Sequence, residues 1–248
     1  MAGIWNLEPM IWSGLRWTPW TVGTYVAGTE TPSWSWASVE CLDGVVYGQP
    51  IPPDGIEYRD TGVKLVKWET HLKSTSLFGG VSGGILRVTG PLLHMKLEIK
   101  PNPESTWRRN TTYRFSMLST GRAKLKGVDH TIEKRRTNQY QEFIDFRPDT
   151  PLELHSICSS SQRGRWSLRR SSDLPNEHPK AIFGEIYCLR FIDHTIYDPD
   201  EISISMLVLG CLDARMQTYQ RLGLAYFRMV EQNMPFFREV DSQILIIV

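Results

Sequence analysis

Apolar and polar positions alternate with a period of two along much of this 248-residue chain. The clearest case lies within 85–99, where apolar residues occupy the odd positions from Leu93 to Ile99 and polar residues, beginning with His94, occupy the even ones. Such alternation predicts a strand with one buried face, so we expect His94 to be exposed. Gly90-Pro91 is expected to bend this strand. Similar patterns predict strands at 63–72, 113–118, 140–146, 222–230 and 243–248.

Two further segments, 181–192 and 204–212, are apolar on both faces. This pattern is typical of central strands that are buried on both sides. Near the start of the chain, Leu7, Ile11 and Leu15 recur at helical spacing and predict a short helix over 7–16. Together these elements predict a mainly β protein, a single β-barrel or sandwich-like domain with a short N-terminal helix.

The chain divides into a lead-in and one large domain. Residues 1–32 combine the predicted helix with a connector rich in Thr, Gly and Pro, and we expect them to pack on a β-barrel-like domain over 33–248. Within that domain, residues 159–180 are rich in Ser, Arg and Pro, which is typical of a mobile surface insertion.

Charge and cysteine usage narrow the cellular context. Lys and Arg total 28 against 27 for Asp and Glu, a formal net charge of +1. A near-neutral chain attracts neither nucleic acid nor an anionic membrane surface strongly, so we expect neither as a partner. The longest apolar stretch, 202–212, is too short and too broken to span a bilayer. Four cysteines without a CxxC pair, and an N-terminus unlike a signal peptide, favour a cytoplasmic protein with reduced thiols.

The nine tryptophans are the outlier in the composition, and two of them, Trp34 and Trp36, lie in the run PSWSWAS. Their spacing predicts two indoles on one face of an extended strand. The run, followed by VECLDGVVYG, resembles a signature of fungal heterokaryon-incompatibility (HET) proteins. Three other stretches are similar to the same family: AGIWNLEPMIWSGLRW at the start, GGILRVTGPLLHMKL at 83–97, and the final third from EIYCLRF through YQRLGLAYF.

The resemblance covers the β-rich C-terminal portion of these proteins and excludes their N-terminal HET domain. Strings of the LSYCWG and WIDALCINQ type, which belong to that domain, do not occur here. No role in incompatibility therefore carries over residue by residue. Small HET-like proteins that lack this domain are associated with fungal terpenoid pathways, including a norbornene-forming Diels–Alder step. The resemblance therefore implies a HET-like cyclase of specialised metabolism.

Sequence patterns for common cofactors and catalytic centres are absent. The chain contains no Walker A string, no GxSxG, no HExxH and no GxGxxG placed after a strand. The six histidines show no metal-ligand spacing, so we expect neither a cofactor nor a metal. A β-domain of this size is nevertheless able to enclose a small apolar ligand.

Arg190 interrupts the two-sided strand at 181–192. A buried guanidinium must be paired. One interpretation is an ion pair with a carboxylate of the chain, such as Asp145, Glu185 or Asp193. The other is a donor at the floor of a cavity that binds a ligand carbonyl or carboxylate.

Tyr187 and Tyr226 either present hydroxyls to the same space as Arg190 or are core tyrosines with satisfied hydroxyls. We predict a site with Arg190 and Tyr187 as its catalytic groups. Its substrate-binding walls are predicted to be Trp34, Trp36, Trp68 and Tyr226.

The function that these features favour is a cofactor-independent cyclase, a pericyclase of the Diels–Alderase type, acting on a small apolar terpenoid or polyene. Pericyclic ring closure requires a folded substrate and one or two hydrogen bonds, and orientation alone removes at most roughly 7–11 kcal/mol of the barrier. The alternative is a HET-like interaction or regulatory protein without catalytic activity. That alternative predicts an exposed apolar patch.

Overall fold

The computed structural model describes residues 15–19, 23–25, 31–47, 62–72, 81–101, 111–117, 143–155, 164–168, 182–195, 201–230 and 240–248. Apart from one short 3-10 helix, Trp36–Ser38, the regular structure in these ranges consists of strands. The prediction of a mainly β protein is therefore confirmed. The strands are β1 (Trp17–Pro19), β2 (Thr24–Tyr25), β3 (Val39–Glu40), β4 (Val45–Tyr47), β5 (Lys64–Leu72), β6 (Val81–Pro101), β7 (Thr111–Met117), β8 (Phe143–Pro148), β9 (Leu152–His155), β10 (Gly164–Leu168), β11 (Ile182–Thr195), β12 (Glu201–Asp213), β13 (Thr218–Val230) and β14 (Ser242–Ile247).

Ten of the described strands form one sheet in the order β5-β6-β14-β13-β12-β11-β10-β9, with β7 joined to β6 and β8 joined to β13. Strand β6 also pairs with β11. Each of the strands β6, β14, β13, β12 and β11 therefore pairs with the next, and β11 pairs in turn with β6. Most are antiparallel, whereas β13–β14 and β10–β11 are parallel.

The long strand β6 pairs with different strands before and after its middle. Its first part pairs with β5 and, over 86–91, with β14, whereas 92–99 pair with β11. The exchange coincides with Pro91, which has no backbone N–H. At Gly90, a Cβ would lie 2.6 Å from Val63 Cγ2 and 2.9 Å from Leu189 Cδ1. The sequence Gly90-Pro91 therefore allows close packing where the partner strand changes.

Hydrophobic side chains pack on both faces of the sheet in two clusters. Cluster A contains Leu93, Met95, Leu97, Phe115, Phe146, Ile186, Cys188, Ile204, Met206, Val208, Leu222 and Ala225. Cluster B contains Leu15, Trp34, Leu86, Val88, Leu92, Leu189, Leu207, Leu209, Cys211, Tyr219, Leu224, Leu245 and Ile247. Strands β11 and β12 contribute to both clusters, which agrees with their prediction as two-sided strands.

Two sequence predictions meet the structure only in part. The predicted helix over 7–16 lies almost entirely outside the described residues, and its described end, Leu15-Arg16, is a turn that leads into β1. Within the predicted insertion at 159–180, residues 164–168 form β10, which pairs with β9 and β11, and the rest lies outside the described residues. No helix within the described ranges has the length and hydropathy needed to cross a membrane.

The run PSWSWAS is not a strand, so the prediction of two indoles on one strand face is wrong. The backbone turns at 33–34 and continues into the 3-10 helix Trp36–Ser38. Hydrogen bonds from Ser35 N to Pro32 O (2.9 Å) and from Ser38 N to Ser35 O (3.0 Å) close these turns. The hydroxyl of Ser38 also donates to Ser35 O at 2.7 Å. Such serine bonds to the local backbone compete with a strand.

Candidate functional site

A buried ion pair joins the run PSWSWAS to the rest of the molecule. Arg221 of β13 and Asp149, just after β8, are both fully buried. Arg221 Nε donates to Asp149 Oδ2 at 2.7 Å, and Nη2 donates to Oδ1 at 3.1 Å. The guanidinium also donates to the carbonyls of Leu15 (2.8 Å) and Trp17 (2.5 Å) and lies 3.8 Å from the Trp17 ring centroid. Arg221 therefore holds Leu15 and Trp17 against the sheet.

Ser33 and Trp34, near the start of this run, take part in the same group of contacts. Ser33 Oγ accepts a hydrogen bond from Arg221 N (3.0 Å) and donates to the Val248 carbonyl. Trp17 Nε1 donates to Trp34 O at 3.1 Å. These bonds fix Trp34 within cluster B, where it is buried. The most conspicuous sequence feature thus serves packing, with Trp34 as a core residue.

The electrostatics of this pair are those of a structural contact. Burial raises the pKa of the Asp149 carboxyl, while the charge and hydrogen bonds of Arg221 act in the opposite direction. The backbone of Asp149 is held as well, since its N donates to Leu222 O (2.9 Å) and its O accepts from Gly23 N (3.0 Å). A fully buried pair with all these partners is closed to a substrate. It does not form a candidate catalytic site.

A second group of ionisable side chains lies at the border of cluster B and is partly exposed. His94 Nε2 of β6 lies 3.0 Å from Glu185 Oε2 of β11, and the two side chains are 26% and 18% exposed. The His94 ring stacks on Tyr187, with centroids 4.6 Å apart and planes 3° apart. Tyr187 in turn meets Tyr219 edge-on at 5.2 Å. We call His94, Glu185, Tyr187 and Tyr219 the imidazole cluster.

The register of β6 and β11 explains this arrangement. Tyr187 is aligned directly with His94, and Glu185 is aligned with Lys96, one position further along the same face. Side chains of directly aligned residues lie about 4.5–5.5 Å apart at Cβ, which brings the two rings into stacking distance. Burial, followed by the nearby Cys211 and Tyr187, raises the pKa of Tyr219 to about 12. Tyr219 therefore stays a neutral phenol at the back of the cluster.

The imidazole cluster has the parts of a proton-transfer or hydrogen-bonding site. A carboxylate beside an imidazole fixes its tautomer and ring orientation. When neutral His94 donates from Nε2 to Glu185, its Nδ1 is an acceptor, and when it is protonated, Nδ1 becomes a donor. These are the abilities expected of a general base or acid next to an apolar surface.

The structure brings four of the six predicted site residues to one hydrophobic cluster. Trp34 is a buried member of cluster B, whereas Trp68, Tyr187 and Tyr226 are half-buried and pack against it. Tyr187 and Tyr226 are not neighbours, because their partners in β12 are Leu209 and Ser205. Four residues of strand separate these positions by about 13 Å. The side chain of Trp36 lies outside the described set.

Arg190 lies on the other side of the sheet from Tyr187. Alternation along β11 places Arg190 with Ile186 and Cys188 of cluster A, and its partner in β12 is Met206, also in cluster A. The side chain of Arg190 is half-buried rather than buried. The predicted catalytic pair is therefore divided between the two faces of β11, and the structure does not assemble Arg190 and Tyr187 into one site.

Sequence reasoning missed His94 and Glu185 as a pair. The expectation that His94 is exposed is wrong, since stacking on Tyr187 covers much of the ring. The only signal in the sequence was a histidine on the polar face of a predicted strand. Pairing it with a carboxylate 91 positions away requires the register of two strands, which periodicity does not supply.

The described residues support neither a metal centre nor a reactive cysteine as a further site. Among the described residues, no group of three or more His, Cys, Asp or Glu side chains is placed to hold a metal ion. Burial raises the pKa of the Cys188 thiol well above its usual range, which is typical of an unreactive core cysteine.

Comparison of the chain with protein-family models, with curated proteins and with solved structures found no match.

Proposed function

We propose that this protein is a cofactor-independent cyclase, of the Diels–Alderase type, for a small apolar terpenoid or polyene. The observation that supports the proposal is the partly exposed imidazole cluster, with His94 and Glu185 at 3.0 Å, at the border of the apolar cluster B. This is a polar pair beside an apolar aromatic surface. Such a combination binds an apolar molecule and contacts one polar atom of it.

In the proposed reaction the protein orients the substrate and polarises its dienophile. A hydrogen bond from the Tyr187 hydroxyl to a carbonyl conjugated with the dienophile lowers the barrier to ring closure. Glu185 holds His94 in place through their 3.0 Å contact, and His94 in turn stacks on the Tyr187 ring. Two carbon–carbon bonds form from existing π electrons, so that no redox partner or leaving group is required. Arg190 takes no part in this proposal, because it lies on the opposite face.

Aromatic residues of the imidazole cluster form the apolar side of the proposed site. Tyr187 packs against cluster B without being enclosed by it and meets Tyr219 edge-on. Trp68 is aligned with Leu86, eight residues along β6 from His94, or roughly 26 Å of strand, and takes no part in this site. Aromatic rings bury large apolar area and keep a folded polyene close to the donor. In the wider proposal, the protein is a fungal HET-like cyclase of the cytosol. Cys41, Cys188 and Cys211 form no disulfide in the part of the chain that the structure describes, which supports the cytosolic part.

The test uses a linear decatrienone, whose diene and enone close to a bicyclic ketone without a catalyst. The purified protein is expected to accelerate this closure and to change the ratio of stereoisomers, measured by chiral gas chromatography. Tyr187→Phe keeps the ring stacked on His94 and removes only the hydroxyl. It is expected to lower the rate roughly 2- to 12-fold, the range for one lost hydrogen bond.

The matched control is Glu98→Gln, which makes a carboxyl-to-amide change on β6 outside the imidazole cluster and is expected to leave the rate unchanged. The corresponding variant within the cluster is Glu185→Gln. A product ratio identical to that of the uncatalysed reaction, with correctly folded wild-type protein, would refute the proposed activity for this substrate class.

The second candidate function is a non-catalytic interaction protein, and exposed apolar residues favour it. Leu212 and Met216, in and beside the turn that joins β12 to β13, are 48% and 64% exposed, and Ile244 of β14 is 55% exposed. The turn and β14 are adjacent, because Ile246 N donates to Gln217 O. This candidate predicts no change in any product ratio. It also predicts concentration-dependent association in sedimentation velocity that Met216→Asp removes.

A further inference from the structure

Ser205 carries a buried hydroxyl without a hydrogen-bond partner. It lies near the middle of β12 in the apolar sequence ISISMLVLG and is fully buried. Among the residues that the structure describes, no group accepts from or donates to its Oγ. Native proteins pair nearly all buried polar groups, so an orphan hydroxyl requires a physical explanation.

The fold does not supply an internal partner for this hydroxyl. In a helix, a serine bonds back to the carbonyl of the preceding turn, but in a strand that carbonyl is out of reach. Ser205 is aligned with Tyr226 of β13 and with Ile192 of β11, where the β11 ladder has an irregularity between Arg190 and Ile192. On the same face of β12, the next side chain is Leu207 of cluster B. An apolar side chain offers no acceptor.

The residue directly opposite Ser205 on β13 is Tyr226. Tyr226 is half-buried and packs against cluster B, and the guanidinium of Arg147 lies 5.8 Å from its ring centroid. Directly aligned residues have Cβ atoms about 4.5–5.5 Å apart. Ser205 therefore lies beside a half-buried aromatic residue that packs against the apolar cluster.

We propose that Ser205 and Tyr226 form a binding site for a neutral, largely apolar small molecule that carries one carbonyl oxygen. Ser205 Oγ–H donates to that oxygen, and the Tyr226 ring covers the apolar body of the ligand. A neutral acceptor fits a hydroxyl in an apolar setting, because a charged ligand group would have to be desolvated there. The position lies about 13 Å along β12 from the residue opposite Tyr187. It is therefore separate from the imidazole cluster and does not depend on the proposed function.

The experiment compares two probes of nearly equal shape, indanone and indane, which differ in one carbonyl oxygen. Dissociation constants are measured by ligand-observed NMR titration. The wild-type protein is expected to bind indanone roughly 2- to 12-fold more tightly than indane, the range for one net hydrogen bond. Ser205→Ala is expected to bind both probes equally, and Tyr226→Leu is expected to weaken both.

Two further variants separate recognition from general damage. Ser242→Ala removes an exposed serine hydroxyl from β14 and is expected to leave both dissociation constants unchanged. Ser205→Cys nearly keeps the volume but donates weakly, and it is expected to give an intermediate preference. An unchanged preference for indanone in Ser205→Ala, or no binding of either probe by the wild-type protein, would overturn the inference. Because no turnover is measured, these outcomes are independent of the trienone assay.

Discussion

Replacing Arg221 with methionine tests the buried ion pair most directly. The variant Arg221→Met keeps an apolar stem of similar length but leaves the fully buried Asp149 carboxylate without its partner. It also removes the donors to the carbonyls of Leu15 and Trp17. Breaking a buried pair in this way costs about 3–5 kcal/mol. For a domain of this size, each kcal/mol lowers the melting temperature by about 2–4 °C. We therefore expect a decrease of about 6–20 °C.

Calorimetry and urea unfolding measure this effect, with Arg215→Met as the matched control. Arg215 lies exposed in the turn between β12 and β13, so that its replacement is expected to change stability by less than about 0.5 kcal/mol. The double variant Arg221→Met with Asp149→Leu removes both charges. It is expected to be more stable than Arg221→Met alone, because no uncompensated carboxylate remains in the core.

The result that would refute this reasoning is specific. If Arg221→Met unfolds within about 1 kcal/mol of the wild-type protein, with an unchanged dependence on urea, the pair does not stabilise the fold as the contacts imply. A double variant less stable than Arg221→Met would show that the cost comes from lost packing instead of the unpaired charge.

Three other predictions concern single residues. Gly223→Ala is expected to lower the free energy of unfolding by about 1–3 kcal/mol, measured by thermal unfolding. The new Cβ would lie 2.3 Å from the Arg147 carbonyl oxygen, and Gly223 has a φ of +156°. A melting temperature equal to that of the wild-type protein would contradict this. Burial raises the pKa of Tyr219 from 10.0 to about 12, so its contribution to stability is complete below pH 10 and is lost as the pH rises through 12. As the pH rises from 10 to 12, the urea midpoint of Tyr219→Phe should fall less steeply than that of the wild-type protein. An equal fall in the two proteins would exclude the effect. Because burial raises the pKa of the Cys188 thiol, iodoacetamide should modify it only after unfolding, as quantified by peptide mass spectrometry; rapid labelling of the native protein would disprove it.

Periodicity predicted the parts of the fold that local sequence controls. The strict alternation before Ile99 and the two-sided pattern of 204–212 correspond to β6 and β12, because a residue's face in a strand follows from its position alone. The same rule failed for the run PSWSWAS. There, serine hydroxyls bond to the nearby backbone and stabilise a turn, as Ser38 does with Ser35.

The candidate sites depend on strand register, which local sequence does not specify. His94 and Glu185 meet only because β6 and β11 pair, and Arg190 is separated from Tyr187 by the alternation within one strand. Nothing near Arg221 in the stretch YQRLGL indicates that it pairs with a buried aspartate 72 positions earlier. Local sequence patterns do not predict long-range polar contacts of this kind.

The contacts around Arg221 also have a consequence for how the chain folds during synthesis. They join residues separated by as many as 215 positions, as between Ser33 and Val248. Contacts so distant in sequence slow folding, because a long loop must close before they form. Until β14 leaves the ribosome, the edges of β6 and β13 that it covers stay open. A nascent chain with open edges is prone to aggregate, and it is the species that a chaperone would protect.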